Sequence, residues 1–117
     1  MADNYNRSPY SGSAVIITGS ATADAEVDTF VLDEDWRIAT WWAVKHSAVG
    51  AAGDTLTLKV GANTIGAIDL NGTADKAMNT GTIDDAYWDL SDGDSVTVTA
   101  AEASSVDSTY FIQLVRR

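Results

Sequence analysis

Two similar stretches decide the fold of this 117-residue chain: GDTLTLKVG at residues 53–61 and GDSVTVTAA at residues 93–101. In each of them, apolar and polar residues alternate after the Gly-Asp pair, which is the period of a half-buried β-strand. Glycine permits backbone angles that other residues avoid, and aspartate bonds to nearby backbone, so the pair predicts a turn. We interpret the recurrence as corresponding strands in two pseudo-equivalent halves of a sandwich. The alternative is independent use of a common turn-and-strand pattern.

Six further segments have the same strand-like composition, rich in Val, Ile, Thr and aromatic residues. They are SAVIITG from Ser13, EVDTFVL from Glu26, DWRIATWWAVK from Asp35, NTIGAIDL from Asn63, AYWDL from Ala86 and STYFIQLV from Ser108. No window has a sustained helical spacing of apolar residues. Eight short strands separated by Gly, Asn and Asp predict an all-β fold, a single antiparallel β-sandwich over residues 14–117 that is jelly-roll-like.

Residues 1–13, MADNYNRSPYSGS, have a different composition from the rest of the chain. Their polar residues and the only proline, Pro9, leave no apolar face to bury, so we predict a flexible N-terminal arm. The arm is either a frayed terminus or a segment that orders on a partner, with Tyr5 and Tyr10 as anchors and Arg7 between them. Because no apolar run has the length of a signal peptide or a membrane span, we expect a cytosolic product with no membrane partner.

The net charge narrows the range of partners. Seven Lys and Arg against seventeen Asp and Glu give a net charge of -10, which would repel a phosphate backbone, so direct binding of nucleic acid is not expected. The chain has no cysteine, which excludes disulfides and thiolate metal sites.

No segment of the sequence predicts catalysis. His46 is the single histidine, at the end of a predicted strand, and no nucleophile elbow accompanies it or the adjacent Ser47. Asp84 and Asp85 are neighbours, which in an extended chain point to opposite faces. The stretch DLSDGD at 89–94 departs from a calcium loop, because Gly93 stands where an oxygen ligand is needed, so we interpret it as a tight turn. We therefore expect no enzyme activity, cofactor or metal.

The four tryptophans divide by strand face. Three are predicted to pack in the core: Trp36, Trp42 and Trp88. Trp41 falls on the opposite face of its strand, in one row with Arg37 and Lys45. If that face is outward, an indole framed by two cations is a partner-binding anchor; otherwise both faces are covered within the domain.

The chain ends on two arginines, Arg116 and Arg117, directly after a predicted strand. They either lie in solvent or pair with carboxylates of a neighbouring subunit.

Together, the polar arm, TFVLDEDWRIATWWAVKHSAVGAAGDTLTLKVGANTIGAIDL at 29–70, GTIDDAYWDLSDGDSVTVTA at 81–100 and YFIQLVRR at 110–117 resemble the small β-sandwich decoration, or cement, proteins of tailed bacteriophages. The resemblance implies a non-enzymatic virion protein that binds the major capsid protein on the capsid exterior and stabilises the shell. It also implies self-association, often as a homotrimer. In such proteins an arm often crosses onto the shell or a neighbour, which suits Tyr5, Arg7 and Tyr10.

A second hypothesis is a carbohydrate-binding β-sandwich module of a phage fibre or spike. Sandwiches present aromatic platforms to sugar rings, and Trp41 or Tyr87 would serve as one here.

Overall fold

A computed structural model describes residues 14–117, which form nine β-strands and no helix. The strands are β1 (Ala14–Ala21), β2 (Val27–Val31), β3 (Trp36–Lys45), β4 (Thr55–Val60), β5 (Asn63–Asp69), β6 (Met78–Thr80), β7 (Asp89–Leu90), β8 (Ser95–Ala101) and β9 (Ser108–Arg116). All eight predicted segments contain a strand. The sequence did not predict β6, and only the last two residues of the segment 86–90 pair as β7.

The strands form two antiparallel sheets. The front sheet has the order β1-β9-β3-β6, with β7 also paired to β3, and the back sheet has the order β2-β8-β4-β5. The pairs are nested along the chain: β1 with β9, β2 with β8, β3 with β6 and β4 with β5. This nesting is that of a long hairpin rolled into two layers, which is the jelly roll. The predicted all-β, jelly-roll-like sandwich is confirmed.

The repeated stretch has a different origin from the one we predicted. Its two strands, β4 and β8, are hydrogen-bonded neighbours in the back sheet, so the interpretation as corresponding strands of two halves is wrong. The turn is what recurs. In both copies the Asp amide donates to the carbonyl three residues earlier, at 3.0 Å, and the preceding Gly53 or Gly93 has a positive φ of 97° or 90°. A turn of this kind requires a glycine at its third position.

The core lies between the sheets, filled by alternate residues of the strands. Its largest fully buried side chains other than Lys45 are Trp36, Trp41, Tyr110, Ile38, Leu56, Leu58, Ile65, Ile68, Leu70, Leu90 and Ile112. Strand β3 changes its inward register once. Ile38 pairs with Leu114 and Thr40 with Gln113, so Ala39 is an extra residue, a β-bulge.

Candidate interaction surfaces

The bulge at Ala39 reverses the predicted roles of two tryptophans. Before it, Trp36 and Ile38 point inward; after it, Trp41 points inward and Trp42 outward. The sequence left open whether the face that carries Trp41 is outward. Trp41 is 0% exposed, so it is not the outward partner-binding anchor that we considered. The prediction that Trp42 is a core residue is wrong, because the bulge at Ala39 turns its side chain to the outer face of the sheet.

Trp41 seals one long edge of the sandwich. Its indole Nε1 donates to the carbonyl of Thr82 at 2.9 Å. A Cβ at Gly81 would overlap this indole, so the close approach requires glycine there. The segment after β6 also bonds to edge strand β5, since the Thr82 amide donates to Ala67 and the Asp84 amide to Ile65. This edge of the back sheet is consequently covered.

Lys45, predicted beside Trp41 on the outward row, is buried as well. Its Nζ donates to the carbonyls of His46 at 2.7 Å and Ala48 at 2.6 Å, and to Ser105 Oγ at 2.9 Å. All three ammonium donors thus have partners inside the domain. The prediction of Lys45 as an exposed cation is wrong.

Asp54, from the first repeated turn, is the second buried charge. Its Oδ1 accepts from the amides of Ala103 and Ser104, and its Oδ2 from those of Ala51 and Ser105, over 2.6–3.0 Å. Burial raises the pKa of this carboxyl, but the four amide donors outweigh it and lower the pKa to about 2. We call Lys45, Asp54 and Ser105 the loop clamp, because they join the β3–β4 and β8–β9 loops.

Arg37, before the bulge, lies on the outer side of the front sheet, unlike Trp41 and Lys45, and it has partners within the domain. Its Nε donates to Asp89 Oδ1 at 2.7 Å, and its guanidinium lies 4.7 Å from the centre of the Trp88 ring. The hydrogen bond from Arg37 lowers the pKa of Asp89. The arrangement fixes Arg37 over Trp88, which is half-buried against the core.

The two terminal arginines also contact their own domain. Arg116 Nη2 lies 2.8 Å from Glu34 Oε1, and Arg117 Nη2 donates to the Leu90 carbonyl at 2.9 Å. Exposed pairs of this kind contribute little to stability. The sequence left open whether the two arginines lie in solvent or pair with carboxylates of a neighbouring subunit. In a complex of the second kind, the contacts within the domain would have to be exchanged for contacts with the neighbour.

The polar residues considered for chemistry are occupied in turns and loops. His46 Nε2 lies 2.9 Å from Thr109 Oγ1, while Ser47 Oγ contacts Asp107 Oδ2 at 3.4 Å. Asp94 Oδ2 accepts from the Ser91 amide at 2.8 Å, as expected for a turn in the stretch 89–94. Within residues 14–117 no three His, Asp or Glu side chains are grouped to hold a metal ion.

A band of apolar side chains crosses the outer side of the front sheet. We call it the aromatic face and define it by Ile16, Trp42, Val44, Met78 and Phe111. The rings of Trp42 and Phe111, on paired strands, stack at 5.4 Å and 17°. Ile16 on one edge strand is 56% exposed and Met78 on the other is 63% exposed. The band therefore spans the whole width of the sheet.

Charge is almost absent from this side of the domain. Among the outward side chains of β1, β3, β6, β7 and β9, and apart from Arg116 at the end of β9, only Arg37 and Asp89 are charged, and they pair with each other. Most of the acidic residues that give the chain its charge of -10 lie in the loops at the ends of the sandwich. A partner could thus cover the aromatic face without burying an unpaired carboxylate.

A second apolar surface lies where the two sheets part, between edge strands β1 and β2. We call it the edge groove; it measures about 350 Å³. Its apolar lining comes from Ala14, Val15, Ile16, Ile17, Val31, Leu32, Trp36 and Leu114, so Ile16 belongs to both surfaces. The groove runs along only the first half of β1, because the Tyr110 side chain fills the space beside the second half.

Tyr110 reaches from β9 across to β2, where its hydroxyl donates to Asp28 Oδ2 at 2.6 Å and its ring meets Phe30 edge-on. Burial, together with this carboxylate, raises the pKa of the phenol. A Cβ at Gly19 would overlap the phenol, so the glycine in β1 permits the crossing.

Three predicted partner-binding residues, Tyr5, Arg7 and Tyr10, lie outside the described residues. In the part of the chain that the structure covers there is no apolar helix of membrane-spanning length. Comparison with protein-family models, curated proteins and solved structures finds no match for this chain.

Proposed function

We propose that this chain is a non-enzymatic virion structural protein that binds the outer surface of a phage capsid and stabilises the shell. The observation that carries the proposal is the aromatic face: an uncharged, aromatic band on one side of a strongly acidic domain. Trp, Phe and Met are enriched in the buried centres of protein interfaces, and charged residues are depleted there.

The distribution of charge supports a protein partner for this face. With acidic residues placed mainly in loops, the domain stays soluble and repels nucleic acid, while the front sheet can approach the major capsid protein closely. The jelly-roll scaffold holds Trp42 and Phe111 on two central strands, so little side-chain freedom is lost on binding.

Shell stabilisation follows from repetition of such contacts. A capsid presents many copies of one site, and a homotrimer would engage three of them at once. Each contact can then be modest, because the second and third binding events take place at high effective concentration.

The test compares particle binding by two aromatic substitutions. Purified protein is mixed with capsids that lack it, separated on a density gradient and quantified against the major capsid protein. We expect the wild type to saturate at a fixed ratio and Trp42→Thr/Phe111→Thr to remain at the top of the gradient. Tyr87→Thr is the matched control, since it removes an aromatic side chain that is 43% exposed but lies outside the aromatic face.

Both variants are first checked for a native circular dichroism spectrum and a cooperative unfolding transition. If folded Trp42→Thr/Phe111→Thr binds particles as the wild type does, the aromatic face is not the shell contact. If the wild type itself never sediments with particles, the virion function is wrong.

Carbohydrate binding stays a second candidate because of Tyr87. Tyr87 is 43% exposed, and Asp84 and Asp85 lie close before it in the chain, in the same loop; an exposed ring and nearby hydrogen-bond acceptors suit a sugar ring with hydroxyl groups. Trp41, the other residue considered as an aromatic platform, is buried and cannot contact a sugar. A glycan array in which binding is present in the wild type and lost in Tyr87→Thr would favour this function.

A further inference from the structure

Met78 differs chemically from the rest of the aromatic face, because it is the one member that contains sulfur. The chain has no cysteine, and its two methionines are Met1 and Met78. Met78 therefore carries the only sulfur atom within residues 14–117, and it is 63% exposed. An accessible thioether is readily oxidised to a sulfoxide, whereas aliphatic side chains are inert to mild oxidants. An oxidant that reaches the domain thus finds its sulfur target on the aromatic face.

Strand β6 holds this sulfur at one edge of the front sheet. Its register with β3 places Met78 on the outer side of the sheet, in the row next to the Trp42 ring. Both ends of the strand are bonded to β3. The Ala77 carbonyl accepts from the Lys45 amide at 2.9 Å, and the Gly81 amide donates to β3 at 2.8 Å. A change at the exposed sulfur should therefore leave the strand and the core in place.

We propose that Met78 is a redox modification site that controls the aromatic face. In the free protein a peroxide oxidises its thioether to the sulfoxide, and the sulfoxide weakens attachment of the face to the shell. The first step stands on the chemistry and exposure of Met78. The second step rests on the proposed function.

The oxidation is a two-electron transfer of one oxygen atom. The sulfur lone pair attacks one oxygen of the peroxide, so an S–O bond forms and the O–O bond breaks. The sulfur loses two electrons, and the second oxygen receives the proton of the transferred oxygen and leaves as water. Methionine sulfoxide reductases reverse the change with a dithiol as reductant, which yields the thioether, a disulfide and water.

The sulfoxide makes the aromatic face polar at one position. Its oxygen is a hydrogen-bond acceptor that water solvates on the free protein. Under a bound partner the same oxygen would lie beside Val44 and Trp42, whose side chains offer it an apolar surface. A buried acceptor that has lost its donor weakens a contact by about tenfold to a hundredfold. Conversely, a partner that already covers the thioether would shield it from the oxidant.

The test follows oxidation and binding in the full chain. Wild-type protein is treated with dilute hydrogen peroxide and digested with trypsin. The peptide that begins after Lys76 is then analysed by mass spectrometry, because Met78 is the only methionine in it. We expect one added oxygen on Met78, gained nearly as fast as in the urea-unfolded chain, and an unchanged circular dichroism spectrum.

Oxidised protein is next mixed with capsids that lack it and separated on the density gradient. We expect it to bind at least about tenfold more weakly than the reduced protein. Treatment with a methionine sulfoxide reductase and dithiothreitol should restore binding. Wild type that is already bound to particles should gain the oxygen more slowly than free wild type.

Two variants separate the position of the sulfur from oxidation in general, and each is compared only with itself before and after peroxide. Met78→Leu removes the sulfur, so its binding should not respond to peroxide. Met78→Leu/Val49→Met moves the sulfur to the β3–β4 loop, at a position that is 55% exposed in the wild type and outside the aromatic face. This variant should gain one oxygen, again with no response in binding.

Three results would overturn the proposal. Slow oxidation of Met78 in the folded protein, relative to the unfolded chain, would mean that the sulfur is shielded. Oxidised and folded wild type that binds as the reduced protein does would mean that Met78 exerts no control, although shell binding itself would stand. Loss of binding by oxidised Met78→Leu/Val49→Met would mean that the effect does not depend on the aromatic face.

A measurement without particles separates failure of this proposal from failure of the proposed function. On a hydrophobic-interaction column, oxidised wild type should elute before reduced wild type, and peroxide should not shift Met78→Leu. If this shift is seen but wild type never sediments with particles, the proposed function fails and its control by Met78 fails with it, while the oxidation site stands. If the shift is absent, the oxidation does not alter the exposed apolar surface, and the proposal is wrong.

Discussion

The repeated turn offers an internal comparison, because its two aspartates have the same local role and different surroundings. Asp54 accepts four amide hydrogens and is fully buried, whereas Asp94 accepts one, from Ser91, and is half-buried. We predict that Asp54→Asn destabilises the domain strongly and that Asp94→Asn does so weakly, although both changes replace a carboxylate by an amide of equal size in the same Gly-Asp sequence.

The magnitude follows from the donors that each substitution leaves without an acceptor. An asparagine at 54 has one carbonyl oxygen, which serves two of the four amides, while its NH₂ group faces the other two. Each buried amide left unsatisfied costs about 1–3 kcal/mol, so Asp54→Asn should lose about 2–6 kcal/mol. Asp94→Asn loses at most one bond with solvent close by, at a cost of about 1 kcal/mol.

The dependence on pH gives a second check of the same reasoning. The pKa of Asp54 is lowered from its usual 3.8 to about 2, a difference worth about 2 kcal/mol of stability. A carboxyl whose pKa is lower in the folded state stabilises the fold above the unfolded pKa, and this contribution disappears as the pH falls through the folded pKa. The gap between the wild type and Asp54→Asn should therefore narrow between pH 4 and pH 2.

The assay is urea denaturation of the wild type and both variants at pH 7, repeated at intervals down to pH 2, with tryptophan fluorescence as the signal. Equal losses of unfolding free energy in the two variants would refute the assignment of Asp54 as the centre of the loop clamp. So would a gap between the wild type and Asp54→Asn that does not change with pH.

Four further substitutions test the assignments of the core. Trp41→Ala should lower the unfolding free energy by about 3–5 kcal/mol, and Trp42→Ala by less than half of that, because only the Trp41 ring is fully buried. If urea denaturation gave the larger loss for Trp42→Ala, the assignment of the bulge to Ala39 would be wrong. Tyr110→Phe removes a hydrogen bond to the carboxylate of Asp28 and should cost about 1.5–3 kcal/mol, again by urea denaturation, whereas a neutral effect would mean that the contact is not formed in solution. Gly81→Ala should lower the melting temperature and shift tryptophan fluorescence, because its Cβ overlaps the Trp41 indole; an unchanged spectrum and melting temperature would contradict that packing.

The sequence predicted the class of fold because the strands keep a period of two and the turns carry Gly and Asp. Both signals are local, and they survive without knowledge of the partner strands. The pairing of β4 with β8 is a contact between residues some forty positions apart, and no local pattern contains it. The repeated stretch suggested two pseudo-equivalent halves of the sandwich, and the nested strand pairing of a jelly roll does not have such halves.

The error at Trp41 has a definite cause. Both faces of the middle of β3 are apolar: one face carries Trp42 and Val44, and the other carries Trp41 and Ala43. Strict alternation counted from Trp36 assigns Trp42 and Val44 to the core, whereas the bulge at Ala39 turns Trp41 and Ala43 toward it. Only the neighbouring strand reveals the bulge, because the shift is between the partners of Ile38 and Thr40. Every face assignment beyond it, including that of Lys45, inherited the error.

The correction strengthens the argument for an interface on the front sheet. A buried Trp41 serves the domain, whereas an outward Trp42 stacked on Phe111 contributes little to the core between the sheets. Partly exposed aromatic surface on a monomer raises the risk of aggregation unless a partner covers it.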